Sequence, residues 1–428
     1  MPPSPQPHYP DGSLWALRRR RTDPLGFLEH LAARGDFVPF TLARRQAILL
    51  NRPDYVSTVL VTQTARFPKG SANQRAQHLL GNGLLTAEGA MHAGRRRLIQ
   101  PAFARQRFEE YAPLMVARTR EMSERWSHDR IVDLTRSLGE LTFGIVGEAI
   151  VGAPVGAAFE PVRHAVAGAT ASIDPLLSLV APLRGVRLIQ ARLRAIAAAL
   201  ATPGRRPSPE GSLLSLLNGH DAGAESRDQR LDDTLTILLA GHDTITSALT
   251  WTFLLLSLNP RIEEQMLAEL SRVLGGRDAA ADDLSKLTYT RAVFSESLRL
   301  YPPAWVLARQ ALEAYDLDEG TVPSGAIVLV SQYLLHRDAR YFERPLSFEP
   351  DRWLAPRDVN RPHLAYFPFG AGPRSCIGEA FGWMEGVLVL ATIARRWRLR
   401  PVAAAFPQVE ARITLRPRQS VLVRASKR

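Results

Sequence analysis

One helix decides most of what this chain can become. Leu235 to Leu258 is the stretch that comes nearest to the ~20 apolar residues that span a bilayer, yet Gly241-His242-Asp243-Thr244 interrupts it near the centre. A mid-membrane aspartate costs about 2.5–3.5 kcal/mol on insertion scales, so the segment reads as a buried helix with a polar break. A buried polar side chain left unpaired costs about 1–3 kcal/mol. Either its hydroxyls bond back to carbonyls one turn earlier, or the break has a chemical use.

The rest of the chain supplies helices to bury it. Apolar residues recur at three- and four-residue spacing over residues 104–128, 136–151, 159–169, 187–201, 229–259, 261–274 and 286–300. Asn259-Pro260, Gly275-Gly276 and Tyr301-Pro302-Pro303 punctuate three of their ends. Strand patterns are few: Arg45 to Leu50, Thr321 to Gln332 around Pro323-Ser324-Gly325, and Ala411 to Val423. The fold class expected is mainly α with small peripheral β-sheets. Residues 22–428 form one large domain behind an extended tail, residues 1–21, rich in proline and arginine. No internal repeat is present, and residues 153–200 match no readable motif.

Composition removes several function classes. The single cysteine, Cys376, excludes an intrachain disulfide, a CxxC redox pair and a zinc site built on two thiolates. The net charge is +12 (54 − 42), but only Lys69, Lys286 and Lys427 are lysines, leaving 51 arginines (54 − 3) scattered along the chain. No nucleic-acid module accompanies them. An acidic protein partner or an anionic membrane surface suits them better. No apolar signal core follows Arg18 to Arg21, so the expected location is the cytoplasm, with peripheral membrane contact allowed. Gly370-Ala-Gly372-Pro and Gly81-Asn-Gly83 lack the third glycine, the preceding strand and the later acid of a dinucleotide fingerprint. The chain is not expected to bind its own flavin or nicotinamide.

Cys376 lies in Phe367-Pro-Phe-Gly-Ala-Gly-Pro-Arg-Ser-Cys-Ile-Gly378, directly before an apolar-rich helix over 379–396. Helix-start N–H groups favour a thiolate there, although an arbitrary lone cysteine is most often a small buried hydrophobe. Glu296-Ser-Leu-Arg299 puts a carboxylate and a guanidinium on one helix face, and Phe348-Glu-Pro-Asp-Arg-Trp353 follows some fifty residues on. His92 and Arg96, in His92-Ala-Gly-Arg-Arg-Arg97, stand one helical turn apart.

Taken in order, these segments resemble the cytochrome P450 family, over nearly the whole chain from about residue 22. Phe369-x-x-Gly372-x-Arg374-x-Cys376-x-Gly378 is similar to the family's haem-binding loop. The resemblance implies a haem b with Cys376 as its axial thiolate, which favours O–O cleavage. It implies that Glu296, Arg299 and Arg352 form a buried structural network behind the haem. It assigns His92, Arg96 and Arg309 to haem propionates, with Phe369 and Arg374 also at the cofactor. Ala240-Gly-His-Asp-Thr-Ile-Thr246 resembles the oxygen-binding kink. Asp243 and Thr244 are then the acid–alcohol pair: Thr244 holds reduced oxygen and a water, and Asp243 relays protons. Gly241 gives the haem room. Ile245 departs from the second hydroxyl that many relatives carry. Ala240, Trp305, Val306 and the region 72–85 are the expected pocket lining. Arg95 and Arg97, with Arg395, Arg396 and Arg398, are expected on a surface that receives an acidic ferredoxin, itself served by a separate ferredoxin reductase.

Ser247 to Ser257, Leu300 to Val306 and Ile413 to Pro417 look closest to bacterial P450s that hydroxylate the β-ring of carotenoids. The reading is therefore a monooxygenase acting on an apolar substrate, a carotenoid first. Fatty-acid or terpenoid hydroxylation, a peroxide-driven variant, and a haem-thiolate sensor or carrier without turnover are the alternatives.

Overall fold

The computed structural model describes residues 23–42, 45–70, 76–78, 80–152, 154–164, 186–201, 210–219, 227–354 and 361–428. The tail 1–21, most of the 72–85 region's first half and much of 153–200 lie outside the described residues.

The interrupted apolar segment is one continuous helix. We number the longer helices α1 (Pro24–Ala32), α2 (Gly89–Ile99), α3 (Phe108–Glu124), α4 (Leu134–Val146), α5 (Val186–Ala201), α6 (Arg227–Leu258), α7 (Pro260–Leu274), α8 (Thr288–Leu300) and α9 (Glu379–Arg396). Helix α6 runs for 32 residues and packs against α4, α5, α7, α8 and α9. A helix apolar on every side must be enclosed this way. The boundaries follow local chemistry. Asp133 caps α4 by accepting from the Arg136 N–H at 3.0 Å. Helix α7 opens on Pro260 and closes on Gly275 in the left-handed region, φ 54°. Helix α3 starts at Phe108, later than the periodicity predicts, because residues 100–103 and 105–107 form 3₁₀ turns.

The sheets are peripheral. Strands β1 (Phe37–Leu42), β2 (Arg45–Leu50), β7 (Ile327–Val330) and β4 (Leu307–Gln310) form one sheet in that order; β3 (Arg130–Asp133), β11 (Leu422–Lys427) and β8 (Trp397–Pro401) form another. The hairpins β5 (Tyr315–Leu317) with β6 (Gly320–Val322) and β9 (Val409–Ala411) with β10 (Leu415–Pro417) complete them. Strands β1, β3, β4, β5 and β8 lie outside the stretches that the sequence pattern marks. Pro39 interrupts β1, which a sheet tolerates because β1 is an edge strand. Strand β8 carries three charged or imino residues in five. Among the described residues no helix is long and apolar enough to cross a membrane.

Candidate active site

Residues 367–378 fold over the start of α9. The Gly370 N–H donates to Phe367 O (2.9 Å) and the Cys376 N–H to Phe369 O (2.8 Å), turning the loop back on itself. Gly372 has φ 70°, and a Cβ there would lie 1.9 Å from Leu60 O, so only glycine fits. Cys376 stands two residues before Gly378, the N-cap of α9. Its thiol is accessible, yet burial pushes it up to about 11 while a Gly378 backbone hydrogen bond pulls it down. A side chain is both accessible and closely surrounded when it faces an interior cavity. The Phe369 ring lies 5.5 Å from the Trp383 ring on α9.

Helix α6 is buried over most of its middle and C-terminal length but opens one window. Ala240 is exposed and Gly241, Asp243 and Thr244 are half-buried, between buried Leu238 and buried Ile245. The hydroxyls bond back as helical hydroxyls do: Thr244 Oγ1 to Ala240 O at 2.9 Å, and Thr246 Oγ1 to His242 O at 2.8 Å. Asp243 Oδ2 instead accepts from Thr414 Oγ1 at 2.7 Å. Ile245 Cδ1 lies 3.4 Å from where a Cβ on Gly382 of α9 would be, so the window and the cysteine helix touch.

Beside the loop is a concentration of positive charge. Burial lowers Lys69 to about 7, His92 to about 4 and Arg309 to about 10, and in each the Arg374 guanidinium adds to the effect. Arg96 also depresses His92, and itself donates to Ser375 O at 2.7 Å. Against these bases stands Glu88, which pairs with Arg374 and accepts from the Lys69 N–H at 2.9 Å. Such a cluster is short of negative charge.

Behind the loop, Glu296 and Arg299 are both fully buried. The five guanidinium N–H donors of Arg299 are all used, on Glu296 Oε1 (2.7 Å) and Oε2 (2.9 Å) and on the carbonyls of His336 (2.7 Å), Pro345 (2.6 Å) and Ser347 (3.0 Å). Glu296 further accepts from Arg352 Nε (3.1 Å), Trp353 Nε1 (2.9 Å) and the Glu349 N–H (3.0 Å). His336 extends the network to the cysteine loop, its Nε2 accepting from the Phe367 N–H at 2.9 Å.

Neighbouring carboxylates near the start of α6 gather three more segments. Asp232 accepts from the Asn82 N–H (2.9 Å) and from Arg194 of α5 (2.8 Å). Asp233 accepts from the Leu84 N–H (2.8 Å) and pairs with Arg95 of α2 (2.8 Å). The Gly81-Asn82-Gly83 turn fits because a Cβ on Gly81 would sit 1.9 Å from the Asp232 carboxylate.

The cytochrome P450 family model matches residues 2–180 and 210–422. This chain is a cytochrome P450. It is 38% identical to the cyclooctatin synthase of Streptomyces melanosporofaciens over 89% of this chain and 86% of that protein. It is 35% identical to cyclooctat-9-en-7-ol 5-monooxygenase from the same organism, over 91% and 88%. The solved structure of CYP175A1 from Thermus thermophilus superposes with a TM-score of 0.80 at 27% identity, covering 99% of this chain and 100% of that one.

The P450's residues fit a haem. Its cysteine faces interior space, the basic cluster lacks the anions that propionates would bring, and the loop glycines permit close backbone approach. Burial alone disfavours the free thiolate of Cys376; a coordinated metal cation deprotonates a thiol outright. Four expectations about residues of this P450 are corrected by the structure. Trp305 is 1% exposed, packs with Phe27, Phe40 and Leu329, and donates its indole N–H to Arg412 O at 2.7 Å. It and buried Val306 are therefore packed as scaffold among the described residues. Gly241 makes its room for Val146 of α4, which a Cβ would meet at 2.7 Å. Arg95 is buried against Asp233 and belongs to no docking surface. Arg395 and Arg396 are committed to Gly276 O (2.7 Å) and Asp278 (2.8 Å), leaving Arg97 and Arg398 exposed. The sequence reading missed Lys69, Glu88 and Trp353. That Lys69 is one of three lysines among 54 basic residues was the available signal for the first.

Proposed function

We propose that this P450 is a ferredoxin-dependent monooxygenase that hydroxylates an unactivated C–H bond of a cyclic terpenoid. The observation that carries the chemistry is the accessible Cys376 in a glycine loop, with an acid–alcohol pair in the one window of α6. When bound, the haem supplies a thiolate-ligated iron at which dioxygen is activated. Arg309 and Lys69 would pair with its propionates and His92 would hydrogen-bond to one. Arg96 and Arg374 complete that cradle while tying it to Ser375 and Glu88.

Thr244 spends its proton on Ala240 O, which leaves its lone pairs to accept from a water at the window. Asp243, half-buried beside it, takes a proton from solvent and passes it inward. Leu238 and Ile245, buried on either side, leave this pair at the exposed break in α6. Of the five arginines expected to receive an acidic ferredoxin, Arg97 and Arg398 are the exposed ones.

The terpenoid substrate is supported by likeness to relatives named for cyclooctatin and cyclooctat-9-en-7-ol. The β-ring of a carotenoid is the second reading, supported by the likeness of the 247–257, 300–306 and 413–417 stretches to carotenoid hydroxylases. Three measurements test this. The reduced, CO-bound protein should show a thiolate-type, long-wavelength Soret band that Cys376→Ala abolishes; its absence would end the haem-thiolate reading. Thr244→Ala should divert electrons from product, and unchanged coupling would remove the proton role. A panel of cyclooctat-9-en-7-ol, β-carotene and a long-chain fatty acid, with an NAD(P)H-driven ferredoxin system, tests the substrate. Hydroxylation of the fatty acid alone would reject both terpenoid readings.

A further inference from the structure

The 411–417 hairpin is fastened to one stripe of α6. Asp243, Ser247 and Trp251, four residues apart in turn, share a helix face. Ser247 Oγ and Trp251 Nε1 both donate to Leu415 O, at 2.8 and 2.9 Å. Asp243 takes its bond from the neighbouring Thr414. The other side of the hairpin is fixed too, by the Leu415 N–H on Pro303 O (3.0 Å) and by Trp305 Nε1 on Arg412 O (2.7 Å). Thr414 is 4% exposed, so its hydroxyl has a fixed place. Among the described residues Asp243 has no ion pair, and its Oδ1 takes no hydrogen bond.

We propose that Thr414 is a positioning residue for proton delivery, holding Asp243 by Oδ2 so that Oδ1 is the oxygen that carries the proton. The proposal rests on the Asp243–Thr244 reading above. Held by one oxygen, the carboxylate keeps a fixed orientation and cannot turn Oδ1 away from the window. The Thr414 hydroxyl donates to the carboxylate and gives up no proton. The transferred proton comes from water to Oδ1 and leaves toward Thr244, so Asp243 ends as it began.

The test needs no known substrate. A ferredoxin and its reductase feed electrons to the haem-loaded protein under air, and peroxide formed is compared with oxygen consumed. Two electrons and two protons give hydrogen peroxide; four of each give two waters, so slow proton delivery raises the peroxide share. Thr414→Val, which keeps the shape and removes the hydroxyl, should raise that share several-fold, and Thr414→Ser should restore it. Infrared difference spectra give an independent readout. The carboxylate band identified by Asp243→Asn should move in Thr414→Val and stay in Thr414→Ser. An unmoved band or an unchanged peroxide share in Thr414→Val overturns the proposal. If Asp243→Asn and Thr244→Ala themselves leave the peroxide share unchanged, it is the underlying relay that fails.

Discussion

His336 ties the Glu296–Arg299 network to the cysteine loop, and it makes the stability of this P450 depend on pH in a calculable way. The ring is fully buried, accepts from the Phe367 N–H, and lies where the Arg299 guanidinium repels a proton. Burial first, and Arg299 second, lower it from 6.5 to about 3. For a base with a depressed folded value the unfolded chain binds more protons, so stability is complete above pH ~6.5 and declines as pH falls below it. The loss continues until the folded ring itself protonates near pH 3. At pH 5 the unfolded ring lies 1.5 units below its midpoint, and RT ln(1 + 10^1.5) gives a loss of about 2 kcal/mol. That figure is insensitive to the folded value provided it stays below about 4. His336→Gln keeps an acceptor near the Nε2 position and cannot titrate. Urea unfolding of the haem-loaded protein, followed by far-UV circular dichroism from pH 8 to pH 5, compares the two chains. The parent should lose about 2 kcal/mol more than the variant across that range. His92, also depressed, contributes to both chains and cancels in the difference. A parent–variant gap that stays constant with pH would refute the reasoning, since it would mean that the folded ring accepts a proton as readily as the unfolded one.

Three further outcomes follow from the same geometry. Glu296→Gln leaves the buried Arg299 charge uncompensated and should cost about 3–5 kcal/mol, read as a lower urea midpoint together with poor haem content. Gly372→Ala places a Cβ against Leu60 O at a left-handed φ; the strain, about 1–3 kcal/mol before the clash is counted, should yield chiefly haem-free protein by absorbance ratio. Lys69→Met removes a charged donor from the cradle, a bond of about 1.5–3 kcal/mol. Haem transfer to apomyoglobin should then run roughly 10- to 100-fold faster. An unchanged rate would remove Lys69 from the cradle.

The parts of this fold that the sequence reveals are those where local chemistry and tertiary role agree. Asn259-Pro260 opens helix α7 and Gly275 closes it by backbone geometry alone, and the cysteine loop needs glycine where only glycine fits. Glu296 and Arg299 share a helix face, so their meeting is local. Lys69, Glu88 and Trp353 were hidden because their roles come from long-range approach: Glu88 meets Arg374 some 286 positions away, and no periodicity encodes that. Trp305 shows the opposite error. A large aromatic beside a motif suggests a pocket wall, but its indole N–H found a backbone carbonyl at Arg412, and packing took the rest of the ring. Gly241 shows that a glycine near a reactive site can serve helix packing instead.

The adjacent carboxylates Asp232 and Asp233 carry a thermodynamic obligation. One holds Arg194 of α5 and the 81–83 turn; the other holds Leu84 and Arg95, whose neighbour Arg96 reaches the cysteine loop. Order in α5 and order in the haem cradle therefore draw on the same short stretch of α6. Coupling between two such regions is reciprocal. Whatever free energy haem loading contributes to settling α5, a settled α5 returns in equal measure to haem affinity, so a substitution at residue 194 should be read in cofactor retention.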